Sequence, residues 1–310
     1  MVFVSVYLVQ RGLSPRVIAM DVRSGPLERA REHIREYGLQ DRIETRLSDG
    51  LHGLKTGEAN GMICAGMGGP LMEKILTEGR EQAQGFAELI LQPQSEIPHF
   101  RTFLMDEGYL LLDENIIYEE GKYYFMMKVR WLGAMTDDAV RQKVGDSWKT
   151  EGLDPGLAEK FGPLLLSRRD RILREYLEWM LTERRQIVGR MEQKADADNP
   201  RTICRRQEIA DEITLITRAL DWYDNGKEHS INGDTKGRPD CFRKQRTRAP
   251  PRKVPSVQQN TGKAISPCHI PFPRTRSYVL AGKSKNLIGD AIGYQGALMC
   301  FHMPVDLLCQ

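Results

Sequence analysis

Two aspartates in the first fifty residues stand where they could hold a nucleoside. Asp21 ends the apolar run VIAM, and Asp49 with Gly50 ends the alternating run IETRLS. A carboxylate at the first position can accept hydrogen bonds from both hydroxyls of a ribose, and one at the second from the exocyclic amine of an adenine. Either aspartate alone would equally suit a solvated loop or a helix cap. Together, at successive strand ends, they predict an adenosine-binding site.

A glycine cluster, AGMGG, follows the next apolar run. Gly66, Gly68 and Gly69 permit positive φ angles and close approach of a ligand, with N–H groups expected to point outward just before a helix. The alternative is a tight strand-to-helix turn packed against the sheet. Gln92-Pro93 ends a further buried run, ELILQP, and marks a fourth strand end.

The elements that must position these residues alternate along the chain. Short apolar runs predict strands, and the patterns between them, such as SGPLERAREHIREYGL, predict helices. This alternation predicts an α/β fold with a mostly parallel sheet and helices on both faces, so that ligands bind at the carboxyl ends of the strands. The run YLLLDENIIYEEGKYYFMMKVRW predicts a closing antiparallel hairpin with its turn at Glu120-Gly121.

The predicted β-hairpin and Asp49 distinguish between two classes of cofactor-binding enzyme. A nicotinamide enzyme accounts for Asp21, but neither Asp49 nor a closing hairpin is its usual mark. An enzyme that uses S-adenosylmethionine (AdoMet) accounts for both. The sequence therefore favours a Rossmann-like methyltransferase sheet.

Composition limits the remaining classes. The chain has 310 residues, of which 40% are apolar and 28% charged, with a net charge of +3. The opening apolar run is too short to span a membrane and has no basic segment before it, which favours a cytoplasmic protein without a membrane anchor. The six cysteines form no CxxC pair, so neither a disulfide framework nor a metal site is predicted. No obligate protein partner is implied.

The residues after about 160 change in character. Apolar residues recur at helical spacing through LLLSRRDRILREYLEWMLTERRQIVGRMEQK and RRQEIADEITLITRALDWY, which predicts a hairpin of two helices with a turn near Asn199-Pro200. Their other faces carry many arginines, which suit either a solvated surface or contacts with phosphates. From about residue 230 the chain is rich in Arg, Lys, Pro and Gly and lacks periodicity, which indicates either disorder or a shifted reading frame.

Several of these runs occur together in one known family. VIAMDVRSGPLERAREHI, RLSDGL, ICAGMGG, LILQPQSEIPHFRTFL and EEGKYYFMMKV resemble the bacterial tRNA (adenine(22)-N1)-methyltransferase family. The resemblance covers about Tyr7 to Lys227. It implies AdoMet as the cofactor, tRNA as the partner, and transfer of a methyl group to N1 of an adenine. A non-catalytic tRNA-binding relative and another AdoMet or nicotinamide enzyme are the alternatives.

The resemblance also implies roles for particular residues. The expected cofactor-binding residues are Asp21, Val22, Asp49, Gly50, Ala65 and Gly66. The expected methyl-transfer loop, without an assigned base, consists of Gly66, Met67, Gly68, Gly69, Gln92 and Pro93. The expected RNA-binding residues are Arg168, Arg169, Arg171, Arg174, Arg184, Arg185, Arg205 and Arg206.

The chain departs from that family at both ends. The family's first strand and its glycine loop have no counterpart before Val6, so the sheet is expected to have an open central slot and a weakened affinity for AdoMet. The expected organisation is a truncated AdoMet-binding domain over 1–131, a connector over 132–160, a tRNA-binding helical hairpin over 161–227, and a basic tail over 228–310 that is disordered or frameshifted.

Overall fold

Strands and helices alternate along the first part of the chain, as the spacing of its apolar residues predicts. The structure, a computed structural model, describes residues 2–193, 199–225 and 297–302. The strands are β1 (Val17–Asp21), β2 (Ile43–Leu47), β3 (Gly61–Met67), β4 (Glu88–Pro93), β5 (Tyr109–Glu119), β6 (Lys122–Trp131) and β7 (Ala297–Phe301). The helices are α1 (Val2–Gln10), α2 (Ser24–Glu36), α3 (Gly69–Glu78), α4 (Arg80–Gly85), α5 (Ile97–Asp106), α6 (Asp138–Ser147), α7 (Pro155–Phe161), α8 (Pro163–Ser167), α9 (Arg171–Glu192) and α10 (Pro200–Asn225).

The strands form one sheet in the order β2-β1-β7-β3-β4-β6-β5. The pairs β1/β2 and β3/β4 are parallel, whereas β6 pairs antiparallel with both β4 and β5. The turn between β5 and β6 has positive φ at Glu120 (48°) and Gly121 (80°), the backbone of a two-residue hairpin loop. The predicted α/β sheet with a closing antiparallel hairpin is confirmed.

The centre of the sheet is filled by a strand from the end of the chain. Strand β7 lies between β1 and β3 and runs antiparallel to both. The expectation of an open central slot was therefore wrong, and so was the expectation of disorder for 297–301. The run ALMCF is apolar throughout, which suits a strand covered on both faces. The rest of the predicted tail, 228–296 and 303–310, lies outside the described residues.

Both faces of β7 are buried. Leu298 and Cys300 belong to the core beneath α3 and α5, whereas Met299 and Phe301 belong to the core formed with α1 and α2. All four residues are at most 4% exposed. Phe301 occupies the space that Gly61 leaves open, because a Cβ at that glycine would lie 2.7 Å from the phenyl ring. The strand is thus packed as a full member of the sheet.

Alkylation of the cysteines should report whether β7 is in place. Burial raises the pKa of the Cys64 thiol from 9.0 to about 12, and it also raises the pKa of the Cys300 thiol. Because the thiolate is the reactive form, both should react with iodoacetamide at least about 100-fold more slowly than the exposed Cys204. Mass spectrometry of the labelled peptides measures the three rates. Equal rates for Cys300 and Cys204 in the native protein would contradict the central position of β7.

Helices α9 and α10 form the predicted helical hairpin. Their apolar faces meet through Leu173, Leu177 and Ile216, and the same core includes Ile116 of β5 and Phe125 of β6. The helical hairpin therefore packs directly on the antiparallel end of the sheet. The segment predicted as a connector contains α6 and most of α7.

Candidate functional site

The carboxyl ends of four strands lie along one edge of the sheet. Since β1 and β3 are both antiparallel to β7, they run parallel to each other. The register places Leu47 beside Asp21, and Gln92 beside Ala65. Ala65 pairs with Ala297 at the level of Asp21, so Asp21 and Ala65 are two strand spacings apart, about 10 Å. The predicted site residues are thereby brought to one edge.

The Asp21 carboxylate is fixed by the turn that follows β1. Its side chain is 8% exposed, and its Oδ1 accepts a hydrogen bond from the backbone N–H of Arg23 at 2.9 Å. The Arg23 guanidinium Nε lies 3.7 Å from the same oxygen. Val22 is exposed. The carboxylate is therefore oriented by its own turn at the rim of the site, before any ligand binds.

The Asp49 carboxylate lies in a loop that several hydrogen bonds hold in shape. Ser48 Oγ donates to the Gly50 carbonyl at 2.9 Å and accepts from the Gly53 N–H at 2.8 Å. Gly50 has a φ of +55°, which favours glycine. Asp49 itself is exposed, and within the described part of the chain no donor contacts its carboxylate. The side chain is thus available to a ligand donor.

Arg46 anchors the far side of this loop. Its Nη1 donates to the Gly53 carbonyl at 2.7 Å and to Glu58 at 2.8 Å, and its Nη2 donates to Glu58 at 2.8 Å. These hydrogen bonds favour the ionised carboxylate and lower the pKa of Glu58 from 4.5 to about 2. The loop that presents Asp49 is therefore tied to β2 by a paired charge.

Gly66 forms an irregularity at the end of β3. Its φ is +74°, and the pairing with β4 shifts register between Ala65 and Met67. The Gly66 N–H donates to Gln92 Oε1 at 2.9 Å. The expectation that this N–H points outward was wrong, because the Gln92 side chain satisfies it. The glycine is required for a bulge that joins the ends of β3 and β4.

Gly68 and Gly69 pack closely against Ser95. A Cβ at Gly68 would lie 2.8 Å from Ser95 Oγ, and one at Gly69 would lie 2.9 Å from the Ser95 carbonyl oxygen. That carbonyl also accepts a hydrogen bond from the Gly69 N–H at 3.1 Å. The packed-turn interpretation therefore holds for these two positions, where α3 starts against the loop after β4.

The polar groups at the end of β4 and in the residue after it differ in exposure. Gln92 is 4% exposed, and its amide is used internally, since Nε2 donates to the Pro93 carbonyl at 3.1 Å. Gln94 is exposed and is held through its backbone N–H, which donates to the Met67 carbonyl at 2.8 Å. Gln92 and Pro93 are therefore buried supports of this edge, while the side chain of Gln94 is exposed.

Most of the predicted RNA-binding arginines have protein partners. Arg184 pairs with Glu212 across the helical hairpin, and Arg174 bridges Glu178 and Asp224. The others with partners are Arg168 (Asp113 and the Glu114 carbonyl), Arg169 (the Trp222 ring), Arg171 (Glu175) and Arg205 (Glu208). Interhelical pairs of this kind hold α9 against α10, so a structural role accounts for several of these side chains.

Arg185 and Arg206 differ from the rest. Arg185 is exposed and Arg206 is half-buried, and no residue in the described ranges forms an ion pair or hydrogen bond with either guanidinium. Among the candidate phosphate ligands, these two form no stabilising ion pair within the described helical hairpin.

A buried ion pair that the sequence did not reveal joins the sheet to the helices that follow it. Arg101 of α5 and Glu114 of β5 are 2% and 1% exposed, with Nε and Oε1 3.0 Å apart. Arg101 Nη1 also donates to the carbonyls of Glu159 and Lys160, and Glu114 Oε2 accepts from the Leu164 N–H, each at 3.0 Å. The pair thus fixes α7 and α8 to the sheet. Arg and Glu are rarely fully buried, so no sequence signal marks them.

The described residues contain neither a membrane-spanning helix nor a metal-binding cluster. No helix there is both long and apolar enough to cross a bilayer. No group of three or more His, Cys, Asp and Glu side chains is arranged to hold a metal ion in those ranges.

Comparison with known proteins identifies proteins that share this sequence pattern and fold. A family model described as a methyltransferase domain matches residues 2–127. The tRNA (adenine(22)-N(1))-methyltransferase of Bacillus subtilis is 29% identical over 215 residues, which are 69% of this chain and 84% of that protein. The crystal structure of the B. subtilis tRNA methyltransferase TrmK has a TM-score of 0.57 at 28% identity, covering 70% of this chain and 86% of that one. Streptococcus pneumoniae Sp1610, in complex with S-adenosyl-L-methionine, gives 0.54 at 26% identity, covering 71% and 87%.

The sheet, the edge that gathers Asp21, Asp49 and Gly66, and the family match define a Rossmann-like methyltransferase. The similarity extends beyond the matched domain into the helical hairpin, because the B. subtilis relative aligns over 215 residues. Within its class, the chain is a relative of the tRNA (adenine(22)-N1)-methyltransferases. The resemblance indicated by its motifs is confirmed.

Proposed function

We propose that this chain transfers a methyl group from AdoMet to N1 of an adenine in tRNA, at position 22 as the name of its B. subtilis relative states. The observation that carries the proposal is the row of residues at one edge of the sheet, where Asp21 and Asp49 stand at two strand ends and Gly66 forms a bulge at the end of a third. The helical hairpin, packed against the same sheet, offers a surface for the RNA. Such an enzyme acts where tRNA is, in the cytoplasm.

The described residues fit the adenosine end of AdoMet. Asp21 and the adjacent Val22 backbone are assigned to the ribose, and Asp49 with Gly50 to the adenine. The exposed Asp49 carboxylate has no donor within the described ranges, and a bound amine would supply one. Ala65 and Gly66 border the same space. When bound, AdoMet supplies an electrophilic methyl group on its sulfonium.

Positioning accounts for the chemistry assigned to the protein. The adenine N1 lone pair lies on the Watson–Crick edge, so the base must leave its pairing before that atom can approach the methyl group. The assigned transfer loop consists of Gly66, Met67, Gly68, Gly69, Gln92 and Pro93. None of these side chains titrates, so the loop shapes and orients rather than removes a proton. Holding two reactants in line can supply most of the acceleration.

Arg185 and Arg184 are neighbours that should behave differently on substitution. We expect Arg185→Ala to weaken tRNA binding and to reduce the slope of log K against log salt by about 1, because one phosphate contact is lost. Arg184→Ala removes the pair with Glu212 and should instead lower the melting temperature. Binding measured from 50 to 200 mM salt, with thermal unfolding of both variants, checks this. An unchanged slope for Arg185→Ala would remove that residue from the RNA surface.

The decisive experiment uses the full chain with methyl-labelled AdoMet and unmodified tRNA. We expect label in the RNA, and nuclease digestion followed by mass spectrometry should place it on 1-methyladenosine. AdoMet binding is measured separately by calorimetry. If the folded chain binds tRNA but neither binds AdoMet nor labels the RNA, it is a non-catalytic tRNA-binding relative.

A further inference from the structure

A cavity lies between the loop after β4 and the helical hairpin. Its volume is about 490 Å³, within the range of sites that enclose small organic groups. It connects the end of the proposed transfer loop with the turn of the β5/β6 hairpin and with α9. The lining residues that bear on its function are Gln94, Glu120, Lys122, Tyr123, Tyr176 and Trp179.

Three aromatic rings form one wall of this cavity. The Tyr123 ring centroid lies 4.8 Å from that of Tyr176 and 5.8 Å from that of Trp179, and the last two are 5.8 Å apart. Tyr118 extends the row, with its centroid 4.6 Å from that of Tyr123. Trp179 is 48% exposed and Tyr118 is 55% exposed. Large aromatic faces gathered at a concave surface mark an interaction site.

The position of the wall suggests what it binds. The end of β4 and the residue that follows it, Gln92-Pro93-Gln94, have no aromatic side chain, so a base that reaches them finds no stacking partner there. The rings of β6 and α9 lie across the same cavity and offer one. Gln94 is exposed, and no described residue bonds its side-chain amide, which leaves a donor and an acceptor for the edge of a base. A positively charged Lys122 and a negatively charged Glu120 also line the cavity.

We propose that this cavity receives an unstacked nucleobase of the tRNA, with its face on Trp179 and Tyr123 and its edge toward Gln94. The inference rests on the proposed function and adds that the helical hairpin contributes to the base-binding pocket itself. Aromatic side chains bind unpaired bases by stacking, which is tolerant of sequence and requires no phosphate contact. The target adenine and the nucleotide next to it share this chemistry.

Substitution of Trp179 tests whether a base stacks on the aromatic wall. We expect Trp179→Ala to weaken tRNA binding and to lower kcat/KM for tRNA by about 10- to 100-fold, whereas Trp179→Phe should stay within about threefold of the native protein. The loss should be equal at low and high salt, because stacking releases no counterions. AdoMet affinity should not change. Tyr37→Ala is the matched control, since Tyr37 is an aromatic residue of similar exposure at the end of α2.

A fluorescent base identifies the occupant. tRNA carrying 2-aminopurine at the target position, or at either neighbour, should lose fluorescence on binding at the position that enters the cavity, and Trp179→Ala should restore the signal. This readout needs no methyl transfer, so it separates failure of the cavity proposal from failure of the proposed activity.

Two results would overturn the proposal. One is native tRNA affinity in Trp179→Ala together with a lowered melting temperature, which would show that the rings only pack the helical hairpin on the sheet. The other is quenching at none of the three positions by the native chain. If Trp179→Ala fails to fold, Tyr123→Leu carries the same comparison, and native binding by Tyr123→Leu would count against stacking on these rings.

Discussion

Met299→Asp is expected to abolish the native sheet. Met299 is 0% exposed in the middle of β7 and contacts Ser5 of α1, whose hydroxyl lies 3.1 Å from its sulfur. An aspartate there places a carboxylate in the apolar core that β7 forms with α1 and α2. The cost is about 5 kcal/mol or more, similar to the whole stability of many domains. Circular dichroism and thermal unfolding should show no cooperative transition.

Met299→Leu is the matched control for this substitution. It nearly preserves the side-chain volume, so it should cost less than about 1.5 kcal/mol and retain a cooperative transition a few degrees lower. A Met299→Asp protein that melts at the native temperature would mean that β7 does not occupy the centre of the sheet in solution.

Asp21→Ala is expected to lower the affinity for AdoMet by about 100-fold or more. The proposed site assigns two ribose hydroxyls to this carboxylate, and hydrogen bonds to a charged group each contribute about 1.5 to 3 kcal/mol. Isothermal titration with AdoMet measures the change. Asp21→Asn should be intermediate, because its carbonyl oxygen still accepts from the Arg23 N–H but the charge is gone.

Asp41→Ala provides the control for the loss of charge. Asp41 is exposed in the loop before β2, at the opposite end of that strand from the proposed site, so its removal should leave AdoMet affinity unchanged. Equal affinities for the native chain and Asp21→Ala, with both proteins folded, would remove Asp21 from the site.

The parts of this fold that were predictable from sequence have local signals. Strand β1 reads as an apolar run ending at Asp21, and α2 shows buried Leu27, Ala30 and Ile34 at helical spacing. The turn at Glu120-Gly121 follows from the types of its residues. Such patterns extend over ten to fifteen residues, so a single sequence is sufficient to read them.

The parts that were missed depend on distant partners. The run ALMCF contains Ala, Leu and Met, which favour helices by intrinsic propensity, and only its place between β1 and β3 makes it a strand. Arg184 looks like a phosphate ligand until Glu212, 28 positions away, is seen beside it. The close contacts of Gly68 and Gly69 with Ser95 are likewise invisible in the sequence. In each case the deciding contact lies on another element.

The origin of the middle strand has a consequence for biosynthesis. Ser5 and Met299 touch although they are 294 positions apart in the chain, so β1 and β3 emerge from the ribosome long before the strand that joins them. Until β7 has been synthesised, the nascent protein exposes two unpaired strand edges, those of β1 and β3, which favour aggregation. Folding of the sheet should therefore wait for β7 to be synthesised, and proteolytic cleavage before Ala297 should damage the centre of the protein rather than its periphery.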